Sequence, residues 1–267
     1  MAWTQAAVPA AGLPQGRSGE KRALPLWQRV WQARSLYMLI IPTFGLLLVF
    51  SYYPVGSALY HAFTIWDGNY SRFVGLLQFE RMLADPYFIA SVINMVRLLI
   101  FYVGINLTVP LVTAVLIFHL PSDRAQYWYR VLFTLPLVVP GVVTVLLWRW
   151  MYDPYGGINA LLRAVGLASL AMDGLQPRSW LGSSSTALYA IMFAGFPWVG
   201  SINMLIYLAG LQAIPNELLD AAAVDGATGV QRFWRVEVPM ILGQIRLILI
   251  MVIIDVIRGF GNILIMT

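Results

Sequence analysis

Long apolar runs separated by short polar segments dominate the pattern of this chain. A helix rises about 1.5 Å per residue, so about 20 apolar residues cross a hydrocarbon core of about 30 Å. Runs of about this length predict five membrane-spanning helices, at residues 36–53, 88–118, 131–148, 186–210 and 241–260. The pattern therefore predicts an all-α, polytopic membrane protein.

Some of these runs contain residues that are unusual inside a spanning helix. The third run holds Pro136 and Pro140, and Pro197 predicts a kink in the fourth. Neighbouring helices in a bundle tolerate such prolines because they satisfy the freed backbone groups. The fifth run holds Asp255 and Arg258, three residues apart and able to meet on one helix face. Since charge at membrane depth is costly unless it is paired or faces water, we expect these two to pair or to face an outer vestibule.

Composition excludes a soluble domain. Hydrophobic residues make up 60% of the 267 residues and charged residues only 11%. Soluble domains have about 45–50% apolar and about 25% charged residues, so this chain has too few polar groups to cover a surface in water. The chain has no cysteine, which excludes disulfides and thiolate sites.

Positive charge is unevenly distributed along the chain, whose net charge is +5. Lys and Arg accumulate in the cytoplasmic segments of membrane proteins. The segments richest in them are residues 1–35, 119–130 and 211–246, which fall on one side if five spans alternate. We expect residues 1–35 to form a flexible basic tail, with the N-terminus in the cytoplasm. Because the charge lies between apolar runs and not on one basic face, no nucleic-acid partner is predicted.

Catalytic chemistry has no basis in the sequence. The chain contains neither a G-x-x-x-x-G-K-[ST] phosphate loop nor an H-E-x-x-H motif. Its two histidines, His61 and His119, lie far apart, and Ser183 to Ser185 lack a G-x-S-x-G context. The sequence therefore predicts a chain that is not an enzyme, with no catalytic residue and no metal site.

The polar segment 211–240, called the signature segment below, has more helical character than a linker. Pro215 and Asn216 can open a helix that Gly226 and Gly229 then end, before a second short turn and Pro239. Small side chains between these points allow another backbone to approach closely. The apolar side chains that the segment offers to a partner are Leu218, Leu219, Phe233 and Trp234.

The spacing of this segment resembles a known motif: E-A-A, three residues, G, nine residues, I, one residue and L-P. Asp220 to Ala222 stand for E-A-A, Gly226 is the glycine, and Val236, Val238 and Pro239 occupy the last positions. The spacing is complete and the replacements are conservative. The segment resembles the cytoplasmic signature of permease subunits in bacterial binding-protein-dependent ABC importers.

Other stretches resemble the carbohydrate-uptake branch, which includes maltose, lactose and glycerol-phosphate importers. They are residues 148–162, 180–181 and 208–225. The resemblance covers residues 36–267 and implies a type I ABC importer transmembrane domain. Members of this branch continue past the point that residues 260–267 match, so a sixth span is expected beyond the five.

The resemblance also implies partners in the bacterial cytoplasmic (inner) membrane. A second, different permease would complete the pathway within the lipid, two ATPase subunits would use ATP and Mg²⁺, and an extracytoplasmic protein would deliver the solute. This chain would bind no cofactor itself. Its loop helix within residues 217–239 would rest in a groove of the ATPase, and the residues implied to couple the two subunits are Glu217, Asp220, Ala221, Ala222, Asp225, Gly226, Gly229 and Pro239.

The predicted function is ATP-driven import of a sugar or polyol, which requires a polar path through the spans. Candidate residues for this path are Asn94, Asn106, Trp198, Asn203 and Tyr207. Each of these side chains can instead bridge neighbouring helices. The alternative function is secondary transport driven by an ion gradient, which typically requires internal repeats and ionisable groups near mid-membrane.

Overall fold

The computed structural model describes Trp27 and residues 34–267, which are mainly helical. These residues belong to two compact units that meet in sequence between Ala84 and Asp85. The predicted flexible tail over residues 1–35 lies, apart from Trp27 and Arg34, outside the described residues.

The first unit begins with a long apolar helix. Helix α1 (Arg34–Leu47) continues through a π-helical turn (Leu48–Tyr52) into α2 (Tyr53–His61), which gives 28 residues in one element. This element contains the predicted span 36–53 and extends beyond it. Its apolar side chains are exposed along its whole length, as expected for a surface that lipid covers.

A short hairpin follows, formed by the antiparallel strands β1 (Thr64–Trp66) and β2 (Ser71–Phe73). The carboxylate of Asp67 accepts hydrogen bonds from the backbone N–H groups of Tyr70 at 2.7 Å and Asn69 at 3.0 Å. These bonds favour the charged form and lower the pKa of Asp67. The unit ends with α3, which is Leu77–Ala84.

The second unit contains the remaining elements. Its longer helices are α4 (Pro86–Phe118), α5 (Asp123–Thr134), α6 (Gly141–Met151), α7 (Gly157–Ala164), α8 (Ala187–Phe193), α9 (Ser201–Gln212), α10 (Asn216–Val224) and α13 (Leu242–Arg258). Shorter elements are the 3₁₀ turns Leu135–Val138 and Ala168–Ala171, strands β3 (Met172–Asp173) and β4 (Gln176–Pro177), α11 (Gly229–Arg232), the π-helical turn Phe233–Glu237, α12 (Val238–Met240) and α14 (Phe260–Met266).

The core of this unit lies where α4 packs against α9 and α13. Met204, Tyr207 and Leu208 of α9 and Ile248 of α13 are almost completely buried there. At Gly210 a Cβ atom would lie 2.8 Å from the side chain of Gln244 on α13, so the missing side chain allows the two helices to approach closely. The three helices form the scaffold that carries the cavity described below.

Two of the predicted spans are broken. The run 131–148 bends by 84° between the 3₁₀ turn Leu135–Val138 and α6, because Pro140 lacks the N–H group that would continue a helix. The run 186–210 is divided into α8 and α9 by a connection in which Gly195, Trp198 and Gly200 have positive φ values. Residues in this left-handed region cannot continue a right-handed helix, so the break is larger than the kink predicted from Pro197.

The number of membrane crossings follows only in part from these helices. In the part of the chain that the structure describes, two elements, Arg34–His61 and Pro86–Phe118, are each long and apolar enough to cross a membrane. The number rises to four if each bent pair of helices forms one span, the second pair being bent by 69° before α13. The count of five spans, and of a sixth beyond them, stays a prediction.

Packing at Gly210 gives a test of the helix core. Valine at position 210 would force the Gln244 side chain aside, and overpacking of this kind costs about 1–3 kcal/mol of folding free energy. We expect Gly210→Val to lower the thermal unfolding midpoint of the purified chain in detergent. Gly104→Val is the matched control, since a Cβ at this helical glycine meets nothing within 4 Å. Equal midpoints for the two variants would contradict the close approach of α9 and α13.

Candidate functional site

A cavity of about 330 Å³ lies within the second unit, between residues of α4, α6, α9, α13 and α14. Its wall is mainly apolar, with the flat indole of Trp148 on one side. The polar side chains on its surface are those of Tyr102, Asn106, Thr144, Asn203, Asp255 and Asn262. An apolar cavity with a few converging polar groups is the usual form of a small-molecule site.

Hydrogen bonds hold two of these polar groups in place. Asn203 Nδ2 donates to Asn106 Oδ1 at 3.0 Å, and Asn106 Nδ2 donates to the backbone oxygen of Tyr102 at 2.9 Å. The first bond joins α9 to α4, and the second fixes the amide of Asn106 against its own helix. In the described part of the chain Asn203 Oδ1 has no protein donor, so it remains an acceptor available to a solute.

Two tyrosines fix helix α8 beside the cavity. The hydroxyl of Tyr102 donates to the backbone oxygen of Ile191 at 2.9 Å, and that of Tyr152 donates to the backbone oxygen of Ala190 at 2.8 Å. The ring of Tyr152 also stacks on Trp148, with ring centroids 5.7 Å apart. Two hydrogen bonds to backbone oxygens of α8 therefore fix the aromatic side chains beside the cavity.

Asp255 supplies the cavity with its charge. In the described part of the chain no basic side chain lines the cavity, and Asp255 forms no ion pair with Arg258. The pairing that their spacing allowed is thus absent. Asp255 is exposed, so water can solvate its carboxylate without a basic partner.

The signature segment begins with α10, which ends in a Schellman motif. The N–H of Ala227 bonds to the oxygen of Ala222 at 3.0 Å, and the N–H of Gly226 bonds to that of Ala223 at 3.1 Å. Gly226 has φ +73°, the left-handed conformation that this motif requires after a helix. The sequence predicted the helix that opens at Pro215 and its end at Gly226.

The second part of the signature segment is capped differently. Thr228 and Gln231 form a reciprocal capping box at the start of α11. The backbone N–H of Gln231 donates to Thr228 Oγ1 at 3.3 Å, and the backbone N–H of Thr228 donates to Gln231 Oε1 at 2.9 Å. Helix α11 continues through the π-helical turn Phe233–Glu237 into α12. The segment is therefore a two-part helical module, as the sequence predicted.

Glu237 is the buried polar residue at the end of this module. Its side chain is 0% exposed, and its Oε1 accepts hydrogen bonds from Arg232 Nε and His119 Nε2, both at 3.1 Å. The Nδ1 of His119 faces the backbone oxygen of Val115 at 2.9 Å in the last turn of α4. Glu237 thus links α11 to the end of α4.

A bound metal has no ready-made site here. Among the described residues, no three His, Asp or Glu side chains cluster as ligands could. The polar groups of the cavity are amides, hydroxyls and one carboxylate, a set suited to hydrogen bonding.

Comparisons with known proteins identify the family. Residues 106–267 match the family of binding-protein-dependent transport system inner membrane components. A probable ABC transporter permease protein of Pyrococcus horikoshii is 32% identical over 210 residues, which cover 77% of this chain and 69% of that protein. The chain belongs to this family of inner membrane permeases.

Other relatives are also permease proteins, which supports the membership of this chain in the family. The sn-glycerol-3-phosphate transport system permease protein UgpA of Yersinia pseudotuberculosis is 31% identical over 207 residues, 77% of this chain and 67% of that protein. UgpA of Brucella suis is 35% identical over 214 residues, with the same coverage of 77% and 67%. The family comprises transport subunits, which confirms that the permease is not an enzyme.

Solved structures confirm the fold of the permease. A bacterial ABC transporter involved in the import of the acidic polysaccharide alginate contains a chain that superposes with a TM-score of 0.74 at 22% identity, covering 90% of the permease and 80% of that chain. The alginate transporter in complex with an alginate pentasaccharide-bound periplasmic protein gives a TM-score of 0.73 at 23% identity, covering 90% and 79%. The predicted ABC importer fold is therefore present.

The structure separates the candidate path residues of the permease into two groups. Asn106 and Asn203 line the cavity together. Asn94 lies outside its lining and accepts a bond from Arg97 at 3.3 Å, while the indole N–H of Trp198 donates to the backbone oxygen of Met192 at 3.1 Å. Tyr207 is completely buried in the core between α9 and α4. None of these last three side chains is among the residues that line the cavity, and their place on a solute path stays a prediction.

The residues implied to couple the permease to an ATPase lie on an accessible surface. Of the eight residues, Ala222 is partly buried. The other seven are exposed: Glu217, Asp220, Ala221, Asp225, Gly226, Gly229 and Pro239. The apolar side chains of Leu218 and Trp234 are also exposed, at 43% and 64%. Leu219, expected on the same face, packs instead against the core.

Sequence reasoning missed several residues of these sites. Thr144 and Asn262 line the cavity, but each stands alone in its helix without a motif. Glu237 occupies the free position of the signature, between Val236 and Val238, and His119 is one of two histidines that lie far apart in the sequence. The one available signal was an acid and a histidine next to apolar runs, since such groups need partners when buried.

Proposed function

We propose that this chain is the membrane-spanning permease subunit of an ATP-driven importer for a sugar or related polyol. In this proposal residues 217–239 couple it to a separate ATPase. The observation that carries the proposal is the signature segment, whose complete spacing folds into a capped, two-part helical module with an exposed surface. Such a module can bind to a surface of another protein.

The exposed surface of this module has the chemistry of a docking site. Leu218 and Trp234 offer apolar area, and large aromatic side chains are common anchors of protein interfaces. Glu217, Asp220 and Asp225 give the surface a negative rim that suits a basic groove. ATP binding by such a partner would favour one of two packings of the helix bundle, as alternating access requires.

The cavity suits an uncharged, hydroxyl-rich solute. Amide and hydroxyl groups can hydrogen-bond sugar hydroxyls, and Trp148 offers a flat apolar face. Relatives import sn-glycerol-3-phosphate or alginate, both acidic. Here the charged residue on the wall is Asp255, and no basic side chain accompanies it in the described lining. A carboxylate would repel an acidic solute and accept hydrogen bonds from a neutral one.

The assembly and orientation proposed for the permease follow its family. One solved relative is in complex with a periplasmic protein that carries the solute. We infer a second permease that completes the pathway, two ATPase subunits and a solute-binding protein outside. The N-terminus and the signature segment would face the cytoplasm, with five spans in this chain. Uptake without ATP would instead favour a secondary transporter.

Coupling is tested at Gly226. Gly226→Asp places a side chain in the left-handed region, where non-glycine residues cost about 1–2 kcal/mol, and adds a charge to the docking surface. We expect pull-down of the ATPase in detergent to fall sharply. Gly166→Asp is the matched control, because Gly166 ends α7 in the same Schellman geometry with φ +80°. Unchanged pull-down in Gly226→Asp, or an equal loss in the control, would refute coupling through this segment.

Orientation is tested with single cysteines, since the native chain has none. Val224 in the signature segment and Leu175 between β3 and β4 are 88% and 98% exposed, so both can be labelled. We expect an impermeant maleimide to label Leu175→Cys but not Val224→Cys in intact cells, and both after the cells are lysed. Labelling of Val224→Cys in intact cells would reverse the orientation.

The solute class is tested at Asp255. A hydrogen bond to a charged group contributes about 1.5–3 kcal/mol, so Asp255→Asn should slow uptake of the neutral solute about tenfold. The assay is uptake of radiolabelled neutral sugars and polyols, and of sn-glycerol-3-phosphate, by cells with the complete transport system. Asp173→Asn, an exposed acid outside the cavity, should change nothing. Uptake of sn-glycerol-3-phosphate by the wild type would contradict a neutral solute.

A further inference from the structure

Among the described residues, one side-chain hydrogen bond joins the signature segment to a part of the helix bundle that is distant in sequence. The ends of the segment continue covalently into α9 and α13, and Ile214, Leu219 and Ile241 pack into the apolar core. Helix α4 is joined to it through Glu237, whose Oε1 accepts from His119 Nε2 across 118 residues of sequence. This contact connects the module to the helix that supplies Tyr102 and Asn106 to the cavity wall.

The geometry of this contact makes it directional. Oε1 of Glu237 holds Arg232 of α11 and His119 of α4 at the same time, each at 3.1 Å. The other oxygen, Oε2, is buried and has no protein partner in the described chain. In the described chain, the hydrogen bonds that join α11 to the end of α4 therefore meet at a single oxygen atom. Apolar contacts are non-directional and cannot fix the same geometry.

Helix α4 can carry a displacement from this point to the cavity. It is one continuous element from Pro86 to Phe118, and His119 caps it with its ring held on Val115 of the last turn. Asn106 lies 13 residues before His119, a distance of about 20 Å along a helix. The helix contains Pro110 between these two residues and stays helical across it, so a movement of the module can reach the cavity wall along one helix.

We propose that Glu237 is a positioning residue that locks the signature segment to the C-terminal end of α4, so that the segment and α4 move as one body. The proposal rests on the proposed function, in which an ATPase moves this segment. It assigns to Glu237, in the free position of the signature, the transfer of that movement to the wall of the cavity. Helix α13 receives the same movement through its covalent connection to α12.

The experiment measures the distance between spin labels at Val224 of the segment and Leu116 of α4, both exposed positions in a chain without native cysteine. The complex of permease and ATPase is studied in lipid nanodiscs, with and without ATP and Mg²⁺. We expect a narrow distance distribution that ATP does not shift. In Glu237→Met and His119→Leu the distribution should broaden and shift on addition of ATP, since the linkage is lost while the volume is nearly kept.

Several variants separate positioning from a merely structural role. His119→Leu changes a side chain that is 35% exposed and leaves the bond from Arg232 to Glu237 intact, so folding should survive. Glu237→Gln retains an acceptor oxygen and should restore the narrow distribution in part. Combining His119→Leu with Glu237→Met should add little to either change, because both break one linkage. Glu80→Met, an exposed acid of the first unit, should match the wild type.

The outcomes decide between the two proposals. A wild-type distance that shifts with ATP, or narrow and unshifted distributions in both Glu237→Met and His119→Leu, overturns the locked pair. If no ATPase binds the wild type, the proposed function fails. The widths measured on the permease alone still test the linkage, because Glu237→Met should broaden them without any ATPase.

Discussion

The fold of this permease depends on the need of every backbone group to find its hydrogen bond inside the protein where lipid replaces water. Long helices satisfy most of that need by themselves, although inside the 33-residue α4 the residue Pro110 lacks the N–H group that a helical bond requires. The chain departs from straight helices at Pro140 and between Gly195 and Gly200. Near these breaks, backbone oxygens accept bonds from side chains: Tyr102 bonds to Ile191, and Ser201 Oγ donates to Phe133 at 2.6 Å. The breaks help to shape the cavity between α4, α6 and α9.

Polar groups in the second unit serve two different purposes. Around the cavity they are spaced apart and only partly satisfied, which leaves Asn203 Oδ1 and Asp255 available to a solute. At Glu237 they converge on one oxygen atom in a completely buried position. Two donors on one buried carboxylate oxygen favour a single arrangement of its neighbours, because hydrogen bonds are directional. The first arrangement leaves hydrogen-bonding groups free, as a reversible binding site requires. The second holds the neighbouring side chains in one position.

The signature segment shows how local and tertiary effects combine. Its two helical pieces are specified locally, by the Schellman motif at Gly226 and the capping box of Thr228 and Gln231. Its attachment is not local, since Leu219 turns into the core and Glu237 reaches a residue from another part of the chain. The remainder of the segment, with Leu218 and Trp234 on it, is exposed.

The sequence by itself determined the membrane class, the helical composition, the family and the helices of the signature segment. The membrane class and the helices depend on composition and periodicity, which are local properties of the chain, and the family was indicated by the resemblance of the signature segment to a known motif. It also indicated Asn106 and Asn203, because amides are rare in apolar runs. Only the tertiary structure decided that Asn94, Trp198 and Tyr207 lie away from the cavity, and that Asp255 faces it without pairing with Arg258. It alone joined His119 to Glu237. Which side chains share a cavity or a buried bond depends on helix rotation and on bends at Pro140 and Gly195, and the packing of distant residues sets both.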